Sequence, residues 1–218
     1  MIVAIDGPAG CGKSTVAKLV ASRLGYYFLN TGSFYRAVTY AHLMKGGDCS
    51  DRDACLETAR KVSITVKDGD ICLDGVDVED KLHTPDVDMN ASIVSSDPRL
   101  REIVTSAVRK IAGSMDIVTE GRDTTTVIFP DAQCKFYFDA SSEVRARRRT
   151  EQQNDTQSYE EVLALIEKRD ANDRNKEVGS LKIAKDAVYI DTSHLTINQV
   201  CEKVVSVVQS RLRDCPAK

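Results

Sequence analysis

A glycine-rich segment near the start of the chain constrains its fold and chemistry more than any other feature. It fits the template glycine, any four residues, glycine, lysine, then serine or threonine. A short apolar run precedes it, and apolar residues at helical spacing follow it. A strand, a glycine-rich turn and a helix in this order direct backbone N–H groups and a positive helix end at one point, which favours phosphate. The segment that this pattern predicts to bind ATP consists of Gly7, Pro8, Ala9, Gly10, Cys11, Gly12, Lys13, Ser14 and Thr15.

Two side chains of this segment are expected to act on the triphosphate. Lys13 would reach the terminal phosphates, and the Ser14 hydroxyl would coordinate the Mg²⁺ ion that accompanies ATP. A chance glycine-rich turn is the alternative, but it leaves the lysine, the hydroxyl and the flanking elements unexplained. The sequence contains neither the Asn-Lys-x-Asp run of GTPases nor the Leu-Ser-Gly-Gly-Gln run of transporter ATPases. The pattern therefore favours a kinase.

Composition excludes several other classes of protein. The 218 residues are 42% hydrophobic and 29% charged, which is typical of a globular α/β domain. The formal net charge of -3 argues against general nucleic-acid binding. No apolar run reaches membrane-spanning length, and the first residues lack the features of a signal peptide. Seven scattered cysteines without a Cys-x-x-Cys pair indicate reduced thiols and hence a cytoplasmic protein.

Alternating strand-like and helix-like stretches predict a parallel sheet with helices on both faces. Strands are expected at 2–5, 27–29, 116–119, 135–138 and 187–190. Helices are expected at 34–45, at 50–62 with Ser50 as cap, at 98–112, after a Ser142 cap, and from the Ser158 capping box to 175. A closing helix capped by Thr196 and Gln199 is expected to face the core with Ile197, Val200, Val204, Val207, Val208 and Leu212.

The stretch from 63 to 80 departs from this alternation. Three short apolar runs, 64–66, 71–73 and 76–78, are separated by Asp-Gly turn signals. Closely spaced strands with such turns form hairpins, so we expect a small antiparallel three-stranded insertion. The whole chain, 1–218, is interpreted as one kinase domain with a substrate-binding part at about 31–112.

Two arginines follow predicted strands in loops. Arg36 follows the second strand, and Arg122 follows the strand that ends at Glu120. Strand ends of this kind line the ligand crevice of a doubly wound sheet. A guanidinium group grips phosphate oxygens in pairs, so the two arginines indicate a second phosphate besides those of ATP.

Two helices carry further charged side chains of uncertain role. Arg169, Asp173 and Lys176 share one helical face, which is either a surface ion-pair ladder or, as we favour here, a stripe that faces a ligand. The basic helix with Arg145 and Arg148 is either a solvated surface or part of a mobile helical lid at about 145–160. A lid that excludes water would suit phosphoryl transfer.

Several longer motifs together resemble one family, the bacterial cytidylate kinases, over nearly the full length of the chain. The most specific is Gly-Arg-Asp at 121–123 followed by Phe-Pro-Asp-Ala at 129–132. The others are the phosphate loop from Ile5, the run at 31–38, the run at 138–143, and Arg-Asp at 169–170 with Asp-Arg-Asn at 173–175.

The resemblance implies that a monomer transfers the γ-phosphoryl group of ATP to CMP or dCMP with Mg²⁺. It implies a catalytic set of Lys13, Arg122, Asp123, Arg145 and Arg148, the last two belonging to the lid. Arg36 and Arg122 would hold the CMP phosphate, and Arg169 and Asp173 would meet the sugar. The other substrate-binding residues would be Thr31, Tyr35, Ser92, Arg101, Asp123 and Lys176.

The chemistry of cytosine supports two of these assignments independently. Cytosine presents an exocyclic amine donor beside two acceptors, which suits the Asp123 carboxylate together with a donor from Arg101. Uracil would set a carbonyl oxygen against the carboxylate, and a buried mismatch of this kind is strongly discriminated against.

The chain departs from the family pattern in four places, one of which is a pair of adjacent residues. Lys176 stands in place of an arginine, Asn30 in place of an aspartate, and Thr31 in place of the serine of some relatives. Thr124 and Thr125 follow Asp123, where an apolar residue and glycine are usual, so the sequence leaves open the path of the local backbone and the orientation of Asp123.

Two alternative functions stay open on the sequence alone. The chain could be a kinase for another acceptor, such as UMP, AMP or shikimate. It could also be a nucleotide-responsive binding module that hydrolyses ATP slowly, although no tail for docking a partner supports this.

Overall fold

The computed structural model describes residues 1–67, 69–113, 115–152 and 157–214. The chain divides into two compact units, of which the first comprises Met1–Phe28 with Asp116–Lys218 and the second Leu29–Met115. Within the described ranges, no helix is long and apolar enough to cross a membrane.

The described residues form eight strands and eight α-helices. In order they are β1 (Ile2–Asp6), α1 (Lys13–Leu24), β2 (Tyr27–Asn30), α2 (Thr31–Leu43), α3 (Arg52–Lys61), β3 (Ile64–Lys67), β4 (Asp70–Leu73), β5 (Val76–Asp77), α4 (Pro85–Val94), α5 (Pro98–Ala112), β6 (Ile117–Gly121), β7 (Cys134–Asp139), α6 (Ser142–Gln152), α7 (Tyr159–Asn175), β8 (Val188–Asp191) and α8 (Ile197–Asp214). A 3₁₀ turn (Glu79–Lys81) follows β5, and a π-helical turn (Thr124–Ile128) follows β6.

The five-stranded sheet has the strand order β2-β6-β1-β7-β8, and β1 pairs in parallel with both β6 and β7. Asp6, the last residue of β1, lies opposite Gly121 of β6 and Tyr137 of β7. The carboxyl ends of these strands therefore meet at one edge, where ligands bind in sheets of this kind. The predicted α/β fold with a parallel sheet is confirmed.

The core of the first unit lies where the sheet packs against α1 and α8. Its fully buried side chains include Val3, Ile5, Val20, Phe136, Phe138 and Val204. On α8, Val200, Val204 and Val208 are buried as expected, whereas Ile197 and Leu212 are 49% and 41% exposed, so their assignment to the core was wrong.

The second unit contains the small antiparallel sheet, with strand order β3-β4-β5, as the spacing of the Asp-Gly turns predicted. Asp74 and Gly75 both have positive φ, 50° and 84°, in the two-residue turn that joins β4 to β5. Only residues that tolerate the left-handed region form this turn readily, which is why Asp-Gly is a reliable hairpin signal.

Several helix caps differ by one residue from their predicted position. Asp51, rather than Ser50, caps α3, because its carboxylate accepts from the N–H groups of Asp53 and Ala54. Ser141, rather than Ser142, accepts from the N–H group of Val144 at the start of α6, at 3.3 Å. The capping box of α7 and the Thr196 cap of α8 are confirmed.

Three elements were missed altogether, namely α4, the 3₁₀ turn and the π-helical turn. Helix α4 begins at Pro85 behind a Thr84 cap, a start signal that the sequence does contain. The π-helical turn after Asp123 has no comparable signal. The predicted turn of the lid at 154–157 lies mostly outside the described residues, but the helices on either side, α6 and α7, pack together through Ala146, Val162 and Ile166.

Substitution of Val204 by alanine tests the position of α8. We expect the free energy of unfolding to fall by about 2 kcal/mol, because two buried methyl groups are lost and a cavity remains. Ile197→Ala is the control, and we expect a loss of less than about 0.5 kcal/mol because the side chain is half exposed. Urea titrations of both variants would measure the difference, and equal losses would contradict the described orientation of the helix.

Candidate active site

The phosphate loop connects β1 to α1 through three glycines with positive φ, namely Gly7, Gly10 and Gly12, at 153°, 79° and 89°. A Cβ atom on Gly7 would overlap the carbonyl oxygen of Phe138, so no other residue fits there. The sequence pattern and the local backbone therefore agree on a loop that turns back on itself at the start of a helix.

Lys13 is buried at the base of this loop. Its Nζ donates to the carbonyl oxygen of Pro8 at 2.7 Å, and the Cys11 thiol donates to the same oxygen at 3.1 Å. Burial lowers the pKa of Lys13, and the nearby Arg122 guanidinium lowers it further. The ammonium group thus lies within the loop, close to the backbone on which phosphates would rest.

Ser14 and Glu120 form a polar contact between α1 and the end of β6. The Ser14 hydroxyl donates to Oε1 of Glu120 at 2.7 Å. A hydroxyl beside a carboxylate is the kind of oxygen pair that Mg²⁺ takes in nucleotide-binding proteins, either directly or through its water molecules. The residues present therefore fit the expected ion.

Arg122 and Lys176 form an ion triad with the buried carboxylate of Asp173. Nε of Arg122 lies 2.8 Å from one carboxylate oxygen of Asp173, and Nζ of Lys176 lies 2.9 Å from the other. Burial alone would raise the pKa of Asp173, but the two cations outweigh it and lower the pKa to about 2. The pKa of Arg122 is raised, since Asp173 and Glu120 outweigh the opposing effect of burial.

The triad modifies the prediction of a charged stripe on α7. Asp173 and Lys176 do lie together, but the second cation that contacts Asp173 comes from the loop after β6. Arg169 is half-buried on the same helix. A carboxylate that holds a predicted phosphate-binding arginine is more than a surface ladder, because Asp173 is buried and the Arg122 side chain is only 20% exposed.

Arg145 connects α6 to the phosphate loop. Its guanidinium group donates to the carbonyl oxygens of Ala140, at 2.9 Å, and Ala9, at 3.0 Å, and pairs with Asp170 at 2.6 Å. The side chain is only 3% exposed. In this structure Arg145 thus supports the backbone of the loop.

Arg148 lies one turn further along α6 and binds the segment that follows β8. Its Nη2 donates to the carbonyl oxygen of Thr192 at 2.6 Å. The hydroxyl of Thr192 donates to the carbonyl oxygen of Cys11 at 3.1 Å. Both predicted lid arginines therefore contact the loop, Arg145 directly and Arg148 through Thr192.

A fully buried carboxylate, Asp6, joins the phosphate loop to the turn after β6. It accepts from the backbone N–H groups of Thr124 and Thr125, at 2.8 and 2.7 Å, and from the Thr125 hydroxyl at 2.6 Å. Burial raises its pKa to about 6, although the hydrogen bonds from Thr125 and Thr124 oppose the shift. The nearby Asp123 carboxylate adds to it.

The π-helical turn positions Asp123. The carbonyl oxygen of Asp123 accepts from the N–H groups of Val127 and Ile128, at 2.8 and 3.1 Å. Its side chain is 3% exposed. Thr125, whose effect on this backbone the sequence left open, anchors the turn to Asp6 through its N–H group and its hydroxyl.

The other predicted substrate residues belong to the second unit. Nε of Arg36 pairs with Asp88 at 2.9 Å. The guanidinium carbon of Arg101 lies 5.2 Å from the centre of the Tyr35 ring, and its Nη1 donates to the carbonyl oxygen of Ser95 at 3.0 Å. These contacts hold two arginines in defined positions before any ligand is bound.

Three further positions of this unit were singled out from the sequence. Asn30 caps α2 and accepts from the N–H groups of Gly32 and Ser33, so it keeps the acceptor that an aspartate would provide. Thr31 is buried in the first turn of α2. Ser92, on α4, accepts from the Ser95 hydroxyl through its carbonyl oxygen at 3.2 Å.

A family model described as cytidylate kinase matches residues 3–210. The chain belongs to the cytidylate kinase family. A cytidylate kinase from Rhodopirellula baltica is 42% identical over 96% of this chain and 93% of its own length. One from Fervidobacterium nodosum is 45% identical over 97% of each. These values exclude a match confined to the phosphate loop.

Among solved structures, the chain is similar to a shikimate kinase from Bacteroides thetaiotaomicron. The match covers 98% of each of the two chains, with a TM-score of 0.50 and 13% sequence identity. At this identity the likeness shows the fold alone. It agrees with the parallel sheet and phosphate loop described above.

The sequence analysis singled out the cations described above and Asp173, but not the other residues that these cations contact. Asp88, Asp170 and Thr192 were not singled out, and Asp6 was only quoted within a motif. Asp170 had a signal, since it belongs to the Arg-Asp run of α7. The others lie far along the chain from the residues that they hold, and nothing in their local sequence marks them.

The Asp173 carboxylate should make stability depend on pH. Its pKa is lowered on folding, so its contribution is present above its unfolded pKa of 3.8 and is lost as pH falls towards about 2. We expect Asp173→Asn to lower the free energy of unfolding at pH 7 by about 3 kcal/mol, because two buried cations lose their counter-charge.

Denaturant titrations of wild type and Asp173→Asn at several pH values would measure this effect. The difference between them should shrink as pH falls below about 4. Glu57→Gln is the control, since it removes an exposed carboxylate paired with Lys61 and should change stability little. A difference that does not vary with pH would contradict the described triad.

Proposed function

We propose that this chain transfers the γ-phosphoryl group of ATP to CMP or dCMP, giving ADP and CDP or dCDP. The observation that carries the proposal is the match to cytidylate kinases over nearly the whole chain, at 42% and 45% identity to two of them. The structure supports it, because phosphoryl transfer needs positioned groups that neutralise charge. Groups of this kind are the buried Lys13, the Ser14–Glu120 pair and the two arginines that carboxylates hold.

For the donor, we propose that residues 7–15 bind the phosphates of ATP. The loop N–H groups and the positive end of α1 would surround the phosphate oxygens. Lys13, now 2.7 Å from the Pro8 carbonyl oxygen, would contact the β- and γ-phosphates. This ammonium group neutralises charge that accumulates on the transferring group.

Ser14 would hold the Mg²⁺ ion, with Glu120 contacting its water molecules. The bound ion would supply neutralisation of charge on the phosphate oxygens. Ser14 and Glu120 are already in contact at 2.7 Å, so the protein keeps the two oxygen groups together before the ion binds.

For the acceptor, we propose that Arg36 and Arg122 bind the CMP phosphate. Each is held by a carboxylate through its Nε, from Asp88 and Asp173 respectively. A guanidinium fixed in this way can present its terminal nitrogens to two phosphate oxygens. An acceptor phosphate carries its own nucleophilic oxygen, so the reaction needs no strong general base; positioning and charge neutralisation suffice.

The remaining substrate contacts follow the family pattern. Cytosine would be recognised by Asp123, Arg101, Thr31 and Ser92, beside the ring of Tyr35. Arg169 and Asp173 would meet the sugar, and Lys176 would add a point charge. Arg145 and Arg148 would act on the transferring phosphates as lid residues, for which Arg145 must release the Ala9 carbonyl oxygen.

We further infer a monomer that works in the cytoplasm, independent of nucleic acid and membrane. The reduced state of the thiols supports this location: Cys11, Cys49, Cys55, Cys72, Cys134 and Cys201, the six cysteines that the structure describes, are all free and buried. Free thiols are the usual state of cytoplasmic proteins.

A coupled assay of ADP release tests the reaction with ATP and Mg²⁺ against CMP, dCMP, UMP, AMP, GMP and shikimate. We expect turnover with CMP and dCMP. Lys13→Ala should lower this turnover by about a hundredfold or more with its circular dichroism spectrum unchanged. Turnover with another acceptor would replace the substrate assignment. Release of ADP without any acceptor would indicate the nucleotide-responsive module instead.

Selection of the base is tested by Asp123→Asn. An amide can donate to the carbonyl oxygen of uracil, which a carboxylate cannot, so the variant should accept UMP better relative to CMP. We expect the ratio of kcat/KM for CMP to that for UMP to fall by about tenfold or more. Arg101→Lys, which keeps the charge and leaves Asp123 intact, is the comparison. An unchanged ratio in Asp123→Asn would remove this residue from base recognition.

A further inference from the structure

Residue 125 is a threonine, whereas the family pattern usually has a glycine at this position. Its hydroxyl donates to Oδ2 of Asp6 at 2.6 Å, and its own backbone N–H donates to the same oxygen at 2.7 Å. Both residues are essentially excluded from solvent, at 1% and 0% exposure. A glycine at 125 could donate the backbone N–H hydrogen bond to Asp6 but not the hydroxyl one.

The backbone at this position does not require glycine. Among the described non-glycine residues, only Asp74 has a positive φ. Thr125 therefore has a negative φ, as β-branched residues usually do. The threonine is therefore unstrained here, and its hydroxyl is an addition to the turn.

Asp6 is placed to transmit this contact to the site. It is the last residue of β1 and directly precedes the phosphate loop, while its carboxylate binds the N–H groups that begin the π-helical turn. Arg122 and Asp123 immediately precede that turn. One carboxylate thus fixes the start of the phosphate loop relative to the residues that the proposed reaction assigns to the acceptor.

We propose that Thr125 is a positioning residue: its hydroxyl keeps Asp6 in its anionic, fully hydrogen-bonded form and so holds Arg122 and Asp123 in the geometry that phosphoryl transfer needs. This inference rests on the proposed function. A proton on Oδ2 would face two donors and displace at least one of them, because a protonated carboxyl oxygen is itself a donor.

Other ionisable groups also face Asp6. Asp123 raises its pKa from the side of the turn, and Lys13, at the start of α1, lies close enough to interact with it. Tyr137 of β7 is its neighbour in the sheet, opposite the uncharged Gly121 of β6. Glu120, the carboxylate on β6, accepts from Ser14. The contribution of Thr125 must therefore be measured as a difference between variants.

Three substitutions isolate the hydroxyl. Thr125→Val removes it and keeps the shape, whereas Thr125→Ser keeps it and removes the methyl group. Thr124→Val is the matched control, because the Thr124 hydroxyl is buried in the adjacent position and makes no hydrogen bond. All three changes leave the backbone donors to Asp6 in place.

We would measure kcat and KM for CMP between about pH 5 and 9, a range that includes the raised pKa of Asp6, about 6. For Thr125→Val we expect kcat to fall by about tenfold or more, because a small displacement of the reacting groups is enough to lower the rate this much. The acid limb of the kcat profile should move up by about one pH unit, the effect of one lost hydrogen bond to a carboxylate. Thr125→Ser and Thr124→Val should resemble wild type.

Titration of the Asp6 carboxyl carbon by NMR, in protein labelled at aspartate and without nucleotide, gives a second readout. The second ionisation of a phosphate monoester also falls near pH 6, so the substrate contributes an acid limb of its own. Only the labelled carboxyl reports Asp6 directly, and we expect its pKa to rise in Thr125→Val.

The outcomes separate the inference from the proposed function. Unchanged kcat and pH profile in Thr125→Val would overturn the positioning role, and so would a lower kcat with an unmoved acid limb. If wild type lacks CMP-dependent turnover, the proposed function fails, while the NMR titration still decides whether Thr125 sets the ionisation of Asp6. Should Thr125→Val not fold, Thr125→Gly replaces it, with the same expected directions.

Discussion

The parallel pairing of β1 with β6 is the constraint on which the site depends. With Asp6 opposite Gly121, the phosphate loop and the Arg122–Asp123 loop leave the sheet at the same level, on strands about 4.8 Å apart. Antiparallel pairing would send the two loops to opposite edges. The packing of α1 and α8 on one face of the sheet stabilises this pairing, so the buried core fixes the position of the polar site.

Three arginines to which we assign contacts with phosphate are each paired with a carboxylate within their own unit of the structure. Asp173 holds Arg122, Asp170 holds Arg145, and in the second unit Asp88 holds Arg36. Such buried or half-buried pairs contribute little net stability, because desolvation of the ions offsets their attraction. Their value lies in orientation: a guanidinium that is already fixed needs no further ordering when a phosphate arrives, and preorganised charge of this kind is what lowers a barrier to phosphoryl transfer.

Local patterns in the sequence predicted local structure well. The glycine template predicted the loop, the Asp-Gly pairs predicted the hairpins, and the apolar periodicity predicted the sheet and most helices. Caps failed by one residue at Ser50 and Ser142, where a neighbouring Asp51 or Ser141 offers an equally good acceptor. The site was predicted only in part, because Asp6 and Thr125 are 119 positions apart and neither has a local signal of contact with the other.

The same distance explains why the sequence left the effect of Thr125 open. In the sequence, Thr125 is a bulky residue at a position where the family usually has glycine. In the structure, its hydroxyl donates to a buried carboxylate. A pKa raised from 3.8 to about 6 corresponds to about 3 kcal/mol that opposes ionisation of Asp6 above pH 6. That cost already includes the hydrogen bonds from Thr124 and Thr125, which lower the pKa of Asp6 and so oppose the larger effect of burial. The Thr125 hydroxyl thus offsets part of the cost of burying Asp6, which a glycine at this position could not do.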